Sequence, residues 1–127
     1  KDMVTIVVKA TPDEFDDPSI VKAAIAFDKE NPDVNDLGRV MYFSRACIPY
    51  GSINIWHHIG IYAWQRDILK KFINLQISPL EKVEQLEQLR ALEAGIDIHA
   101  MITYEHPIGV DTEVDLNKAI KYFQDLS

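Results

Sequence analysis

Apolar and polar positions alternate along the chain in a way that predicts both strands and helices. Strands are predicted at residues 3–8, 39–44, 56–63 and 96–104, where β-branched and aromatic residues cluster or alternate with period two. The segment 20–28 is ambiguous, because Ile20-Val21 favours a strand and Ala23-Ala24 a helix. Residues 30–38 are polar and predict an exposed loop, as do residues 46–52 around Pro49 and Gly51.

Helices are predicted in three places. Residues 65–75 have the apolar spacing of an amphipathic helix. Ser78, Pro79 and Glu81 form a capping box with proline at the first helical position, so a second helix should run from there to residue 93 or 94, where Gly95 ends it. Thr112 should cap a last helix. The mixture of strands and helices predicts the α/β class.

Composition narrows the kind of partner. The 127 residues suit one domain, and 13 basic against 20 acidic side chains give a net charge of −7. Phosphate-backbone binding needs a basic footprint, so we expect no nucleic-acid partner. We also expect no membrane insertion, since no apolar run is long enough to span a bilayer. Cys47 is the single cysteine, which suits a reducing compartment.

Two polar side chains flank a glycine on the third predicted strand. Because alternate residues of a strand share a face, His58, Gly60 and Tyr62 should line one side. Ligands can approach the backbone closely at a bare glycine. The alternative is a core histidine and tyrosine that hydrogen-bond to their neighbours.

Glu87 is the second unusual residue. On a continuous helix it would fall between Leu80 and Val83, inside the apolar stripe. A carboxylate there must be paired, bound to a metal ion or placed in a polar cleft. The alternative is an edge residue that reaches solvent or pairs with Arg90 three residues on.

Asp111 is the third. It stands just before the predicted cap Thr112, in the crevice position where open α/β sheets bind ligands. A carboxylate beside a phosphate site usually holds Mg²⁺. The alternative is an ordinary turn residue.

Six strings occur in an order that resembles one enzyme family. They are Tyr42-Phe43-Ser44-Arg45-Ala46, Ile48-Pro49-Tyr50, His58-Ile59-Gly60-Ile61-Tyr62, Ser78-Pro79-Leu80-Glu81, Leu86-Glu87-Gln88-Leu89-Arg90 and Gly109-Val110-Asp111-Thr112. Each string alone is modest, but the ordered set resembles the C-terminal half of the 3-deoxy-manno-octulosonate (Kdo) cytidylyltransferases and covers nearly the whole chain.

The resemblance implies an activity, a fold and a location. The family transfers CMP from CTP to the anomeric hydroxyl of Kdo, giving CMP-Kdo and pyrophosphate for lipopolysaccharide synthesis. The implied fold is a nucleotide-diphospho-sugar-transferase-like sandwich, with a mixed, mostly parallel sheet and flanking helices. The implied assembly is a homodimer in the cytoplasm, and Trp56, Ile59 and Ile61 of the apolar third strand are expected to take part in it.

The resemblance also implies site residues. The matching side chains that contact the sugar acid are His58, Tyr62, Glu87 and Gln88, and Arg45 is a candidate partner of the sugar carboxylate. Asp111 is implied as the Mg²⁺ ligand and the catalytic carboxylate, which makes Mg²⁺ the expected cofactor.

The chain also departs from the family pattern. Members are about twice as long, so residues 1–127 are expected to be the C-terminal, sugar-binding and dimerisation half of one nucleotidyltransferase domain. The N-terminal CTP-binding half is not present in this sequence, and the family's loop after the Ile-Pro-Tyr string is longer than residues 51–57. Two alternatives are therefore open: a CMP-sialic acid synthetase or other sugar nucleotidyltransferase, and a non-catalytic dimerisation fragment.

Overall fold

A computed structural model describes residues 1–104 and 113–126 of the chain. The strands are β1 (Met3–Lys9), β2 (Lys22–Ala26), β3 (Leu37–Ser44), β4 (Trp56–Trp64) and β5 (Ile98–Ile102). The helices are α1 (Arg66–Ile73), α2 (Pro79–Glu84), α3 (Gln88–Glu93) and α4 (Glu113–Leu126), with a 3₁₀ turn at Pro12–Glu14.

The predicted strands are all present, and the ambiguous segment 20–28 forms one as well. Its strand, β2, lies between β3 and β4 and pairs antiparallel with both. Cross-strand pairing on two sides outweighs the helix preference of Ala23 and Ala24, because strand propensity depends strongly on tertiary context.

The sheet is mixed, and its strands follow the order β1-β4-β2-β3-β5, with β5 returning to β1. Helices flank it, as expected. The expectation of a mostly parallel sheet is not met by the described strands, since only β1 and β5 run parallel and the other pairs are antiparallel. The reason lies in the connections: the first four strands are joined by loops and a 3₁₀ turn, and parallel neighbours need a helical crossover.

The core lies on the inner face of this sheet, under α3. Alternate residues of β5 are buried, as the period-two pattern predicts, and β1 contributes Met3, Thr5 and Val7 to the same interior. Leu89 of α3 is fully buried against this apolar cluster. Burial of that surface is the main force holding the helices on the sheet.

The helix predicted from Ser78 to residue 93 or 94 is wrong in one respect, because it is broken into α2 and α3. Gln85 has a left-handed backbone (φ 59°), which ends α2. The break turns Leu86 into the core, whereas Leu80 and Val83 stay 40% and 79% exposed. The start and end are as predicted: Pro79 opens α2, the Glu81 carboxylate accepts from the Ser78 amide, and Gly95 (φ 79°) follows α3.

The last helix is confirmed as α4, and its Val114, Leu116 and Ile120 are exposed. Gly109, Asp111 and Thr112 lie outside the described residues. Within residues 1–104 and 113–126, no helix is both long enough and apolar enough to cross a membrane.

Candidate functional site

The site is built around an irregularity in β4. Thr5 of β1 is opposite Tyr62, but the next residue, Ile6, is opposite Ile59. One step on β1 therefore matches three steps on β4, so Gly60 and Ile61 form a bulge. Both bulge residues are exposed, and the space where a Gly60 side chain would begin is open to 4 Å.

Of the three residues predicted to share a face, His58 and Tyr62 do lie together, whereas Gly60 belongs to the bulge. Their rings are 5.5 Å apart, and the Phe43 ring lies 4.7 Å from His58 on another side. His58 is only 7% exposed. Burial, with a smaller contribution from neighbouring His57, lowers the pKa of His58 to about 4, so the ring is neutral at pH 7.

The Thr5 hydroxyl holds His58 from β1. Thr5 Oγ1 lies 2.9 Å from His58 Nε2, 2.8 Å from the carbonyl oxygen of Ile61 and 3.1 Å from that of Ile59. The Thr5 side chain is buried, and it binds carbonyl oxygens on both sides of Gly60. The alternative reading of His58 and Tyr62, a core pair hydrogen-bonded to neighbours, is therefore partly realised: His58 does have a buried partner.

Glu87 lies at the junction of α2 and α3. Burial raises the pKa of the Tyr62 phenol, and the charge of the Glu87 carboxylate raises it further. Tyr62 is therefore a neutral hydroxyl at pH 7. The argument that put Glu87 in a buried stripe is wrong, because Gln85 breaks the helix and leaves Glu87 exposed at the start of α3.

Gln88 follows Glu87 but has different surroundings. It is 6% exposed, in the first turn of α3. Glu87 and Gln88 therefore present a carboxylate at the surface and an amide below it. The structure brings the rings of His58 and Tyr62 together, and the Glu87 charge acts on the pKa of Tyr62 from the start of α3, next to Gln88.

Arg45 has a position that sequence did not anticipate. Its guanidinium donates to the main-chain carbonyls of Glu84 (2.9 Å), Gln85 (3.2 Å) and Pro18 (3.0 Å). These bonds fasten the end of β3 to the turn that leads into Glu87. Three of the five guanidinium protons are used, so a contact with a sugar carboxylate would depend on the remaining two.

Sequence reasoning missed a partly buried ion pair that joins α2 to α3. The Arg90 guanidinium binds both carboxylate oxygens of Glu81, with Nε 2.8 Å and Nη2 2.5 Å away, and lies 5.0 Å from the centre of the Phe72 ring. The hydrogen bonds from Arg90 hold the pKa of Glu81 below its ordinary value. Pairing of Arg90 with Glu87 is one of the alternatives that the sequence leaves open for Glu87, but the structure pairs Arg90 with Glu81. Because the sequence pattern predicts one continuous helix over α2 and α3, it does not predict that Arg90 meets Glu81.

Lys22 was also missed. It is fully buried on β2, and its ammonium donates to the carbonyl oxygens of Asp17 (2.6 Å) and Arg45 (2.8 Å). The lysine therefore supports the same end of β3 that carries Arg45. No local sequence signal marks Lys22, because its burial depends on strands that pair from both sides.

The proposed metal ligand Asp111 lies outside the described residues. In the part of the chain that the structure covers, no group of three or more histidine, cysteine or acidic side chains could hold a metal ion. The described residues thus provide no metal centre of their own.

With this geometry established, comparison with known proteins defines the class. The cytidylyltransferase family model matches residues 1–98, and the chain belongs to that family. Among curated relatives, the 3-deoxy-manno-octulosonate cytidylyltransferase of Brucella ovis is 46% identical over 109 residues, which cover 78% of this chain and 43% of that protein. The enzyme of the same name from Rickettsia prowazekii is 42% identical over 121 residues, covering 95% of this chain and 46% of that protein.

A solved structure agrees with the sequence comparison. CMP:2-keto-3-deoxy-manno-octonic acid synthetase, complexed with CTP, superposes with a TM-score of 0.84 at 31% identity, over 99% of this chain and 50% of that one. The fold is therefore that of a nucleotide-sugar transferase. The chain spans about half the length of the relatives it matches.

Proposed function

We propose that this chain is the sugar-binding part of an enzyme that transfers CMP from CTP to Kdo. In that reaction the anomeric oxygen of Kdo attacks the α-phosphorus of CTP, the bond to the β-phosphate breaks, and pyrophosphate leaves. The observation that carries the proposal is the pair of His58 and Tyr62, whose rings lie 5.5 Å apart on the strand that carries the open bulge at Gly60. Relatives of this name at 42–46% identity support the choice of sugar.

The pair of His58 and Tyr62 suits a polyhydroxylated acid. A neutral imidazole and a neutral phenol can each donate to and accept from sugar hydroxyls, and an exposed carboxylate such as Glu87 can accept from them. Buried polar groups such as His58 reject a substrate that leaves them unpaired. The chemistry itself needs positioning and charge neutralisation more than a protein nucleophile. The described residues therefore supply substrate choice, and we assign the CTP-binding groups to the half of the relatives that this sequence does not cover.

The test is turnover by the full-length parent protein. With CTP and Kdo we expect CMP-Kdo and pyrophosphate, and with CTP and sialic acid we expect at most trace product. The reverse preference would identify a CMP-sialic acid synthetase. If neither Kdo nor sialic acid leads to release of pyrophosphate, the remaining candidate is another sugar nucleotidyltransferase.

We also propose that Mg²⁺ is the cofactor and that Asp111 holds it. The support is the place of Asp111 in the sequence, two residues before α4 begins, and the preference of Mg²⁺ for carboxylate oxygens. The ion would neutralise charge on the α-phosphate when bound. Asp111→Asn in the full-length enzyme should lower kcat at saturating Mg²⁺ and leave the melting temperature unchanged. Near-normal kcat would make Asp111 an ordinary turn residue.

The rival function is a non-catalytic dimerisation fragment. It is favoured by one observation: the chain covers only 43–50% of its relatives. Intact mass of the natural protein separates the two, since a mass near twice 14.5 kDa restores the enzyme and a mass near 14.5 kDa favours the fragment. A cytoplasmic location, a role in lipopolysaccharide synthesis and a homodimer belong to the same proposal and rest on the family resemblance.

A further inference from the structure

The position of one hydroxyl proton decides how His58 is protonated. Thr5 Oγ1 is within hydrogen-bond distance of three atoms: His58 Nε2 and the carbonyl oxygens of Ile59 and Ile61. A threonine hydroxyl has one proton and two lone pairs. Carbonyl oxygens can only accept, so the proton must point to them, chiefly to Ile61 at 2.8 Å and partly to Ile59 at 3.1 Å.

The consequence falls on the histidine. Because the Thr5 proton is used by the carbonyls, the Thr5 oxygen can only accept from His58, and Nε2 must carry a proton. The ring is buried and neutral at pH 7, so it carries one proton and Nδ1 has none. Nδ1 is then the nitrogen that can accept a hydrogen bond from a ligand hydroxyl.

The same hydroxyl fixes the backbone around the ring. The Ile59 and Ile61 residues flank Gly60. Thr5 of β1 therefore binds the main chain on both sides of the bulge and also contacts the His58 imidazole. Phe43 at 4.7 Å and Tyr62 at 5.5 Å confine the ring on other sides. Ring orientation, tautomer and bulge are thus tied to one buried side chain, which is 1% exposed.

We infer that Thr5 is a positioning residue: through its hydroxyl it holds His58 in the Nε2–H tautomer and presents Nδ1 as the acceptor for a hydroxyl of the sugar acid. The inference about the sugar rests on the proposed function, whereas the tautomer does not. Thr5 itself touches no reacting atom. Metal-bound histidines are oriented in a similar way, by a hydrogen bond from the ring nitrogen that does not bind the metal. Here the same arrangement orients a histidine that forms a hydrogen bond to the ligand.

The first experiment reads the tautomer directly, in the chain with ¹⁵N-labelled histidine. At pH 7 the His58 ring should show a protonated Nε2 with a slowly exchanging proton and an unprotonated Nδ1. Thr5→Val, which keeps the shape and removes the hydroxyl, should lose the slowly exchanging proton, and Thr5→Ser should keep it. Val7→Ala is the matched control, since Val7 is buried on the same strand opposite His58 and has no hydroxyl.

The second experiment measures kinetics in the full-length enzyme. Thr5→Val should raise KM for Kdo roughly tenfold, the loss expected for one oriented hydrogen bond, with kcat and KM for CTP changed less than about twofold. Thr5→Ser should restore KM, and Val7→Ala should leave it unchanged.

The outcomes separate the two proposals. A protonated Nδ1 in the wild-type chain, or a Thr5→Val spectrum equal to wild type, overturns the role of Thr5 whatever the enzyme does. An intact Nε2–H signal in a full-length protein that does not use Kdo overturns the proposed function and the sugar contact, and leaves the tautomer established. Equal effects of Thr5→Val and Val7→Ala on KM overturn the positioning role in favour of packing.

Discussion

The protonation states of single residues in this chain depend on their surroundings in the fold. His58 is a histidine of ordinary type, yet burial holds its pKa near 4 and Thr5 assigns its proton. Tyr62 keeps its proton through the physiological range because burial raises its pKa, and the Glu87 charge adds to the shift. Both groups are therefore neutral at pH 7.

His58 should make stability depend on pH. The unfolded chain protonates this residue below about pH 6.5, whereas the folded chain resists protonation down to about pH 4. The folded-state pKa is depressed, so its contribution is complete above pH 6.5 and is lost as pH falls through this window. We expect a loss of up to about 3 kcal/mol between pH 7 and pH 4.

Urea unfolding of wild type and His58→Gln at several pH values checks this. The difference between the two free energies of unfolding should change across pH 6.5 to 4, and this subtraction removes the contribution of carboxylates such as Glu81. A difference that stays constant with pH would show that His58 is not buried as a neutral ring.

Two glycines offer a matched pair of substitutions. A Cβ at Gly38 would lie 2.5 Å from Ile25 Cγ2, 2.7 Å from Phe27 Cδ1 and 2.9 Å from the Ala26 carbonyl oxygen, whereas one at Gly60 meets nothing within 4 Å. Gly38→Ala should therefore destabilise the chain by about 1–3 kcal/mol. Gly60→Ala should leave its stability within about 0.5 kcal/mol of wild type.

Gly60→Ala should nevertheless raise KM for Kdo in the full-length enzyme, because the methyl group occupies the open space beside His58 and Tyr62. Thermal melts and steady-state kinetics on the two variants measure both effects. An unchanged KM would mean that substrate does not approach the bulge.

At the scale of elements, the junction of α2 and α3 organises the site. The left-handed Gln85 separates the helices, Arg45 clamps the turn through the Glu84 and Gln85 carbonyls, and the Glu81–Arg90 pair joins the two helices from beneath. These contacts fix the turn that precedes Glu87. Two short helices with a fixed angle thus replace the single helix that the sequence pattern predicts.

Arg90→Met tests this junction. It keeps the length of the side chain but leaves the Glu81 carboxylate buried without its charged partner, which is costly. We expect the melting temperature to fall by roughly 5 °C or more at pH 7. Lys82→Met, an exposed lysine of α2, is the control and should shift it by less than about 2 °C.

Replacing both partners, as in Glu81→Gln with Arg90→Met, should recover most of the loss, since no buried charge then remains unpaired. Equal melting temperatures for wild type and Arg90→Met would show that the ion pair contributes nothing to holding the helices.

At the scale of the whole molecule, the exposed apolar surface differs from the one expected for a dimer. The strand argument named Trp56, Ile59 and Ile61, but Trp56 and Ile59 are buried within the chain, at 6% and 8% exposure. Ile61 alone remains open, at 55%, because the bulge turns it outward. Further exposed apolar side chains lie on or near α1 and α2: Leu69, Ile73, Ile77, Leu80 and Val83.

We predict a two-fold homodimer that covers Ile61. Light scattering at micromolar concentration should give twice 14.5 kDa. Ile61→Asp should shift the chain to the monomer, whereas Ile53→Asp, on an exposed loop residue, should not. A wild-type monomer at this concentration would contradict the homodimer, and equal dissociation by both variants would contradict the role of Ile61.

The sequence by itself determined the described strands other than β2, the α/β class, the start of α2 and the shared face of His58 and Tyr62, because these depend on local periodicity and on residues a few positions apart. The family also followed from the sequence, through strings whose order is specific. The break at Gln85 is different: its left-handed backbone is favourable only because Leu86 and Leu89 reach the core beneath it.

Only the tertiary structure decided which partners meet across the chain. Thr5 lies 53 residues from His58, and Arg45 lies 39 residues from the Glu84 carbonyl that it binds. Burial of Lys22 and the outward turn of Ile61 likewise depend on which strands close the sheet. Hydrogen bonds and burial at such separations are set by strand register and packing, and register is fixed by the whole sheet rather than by any one segment.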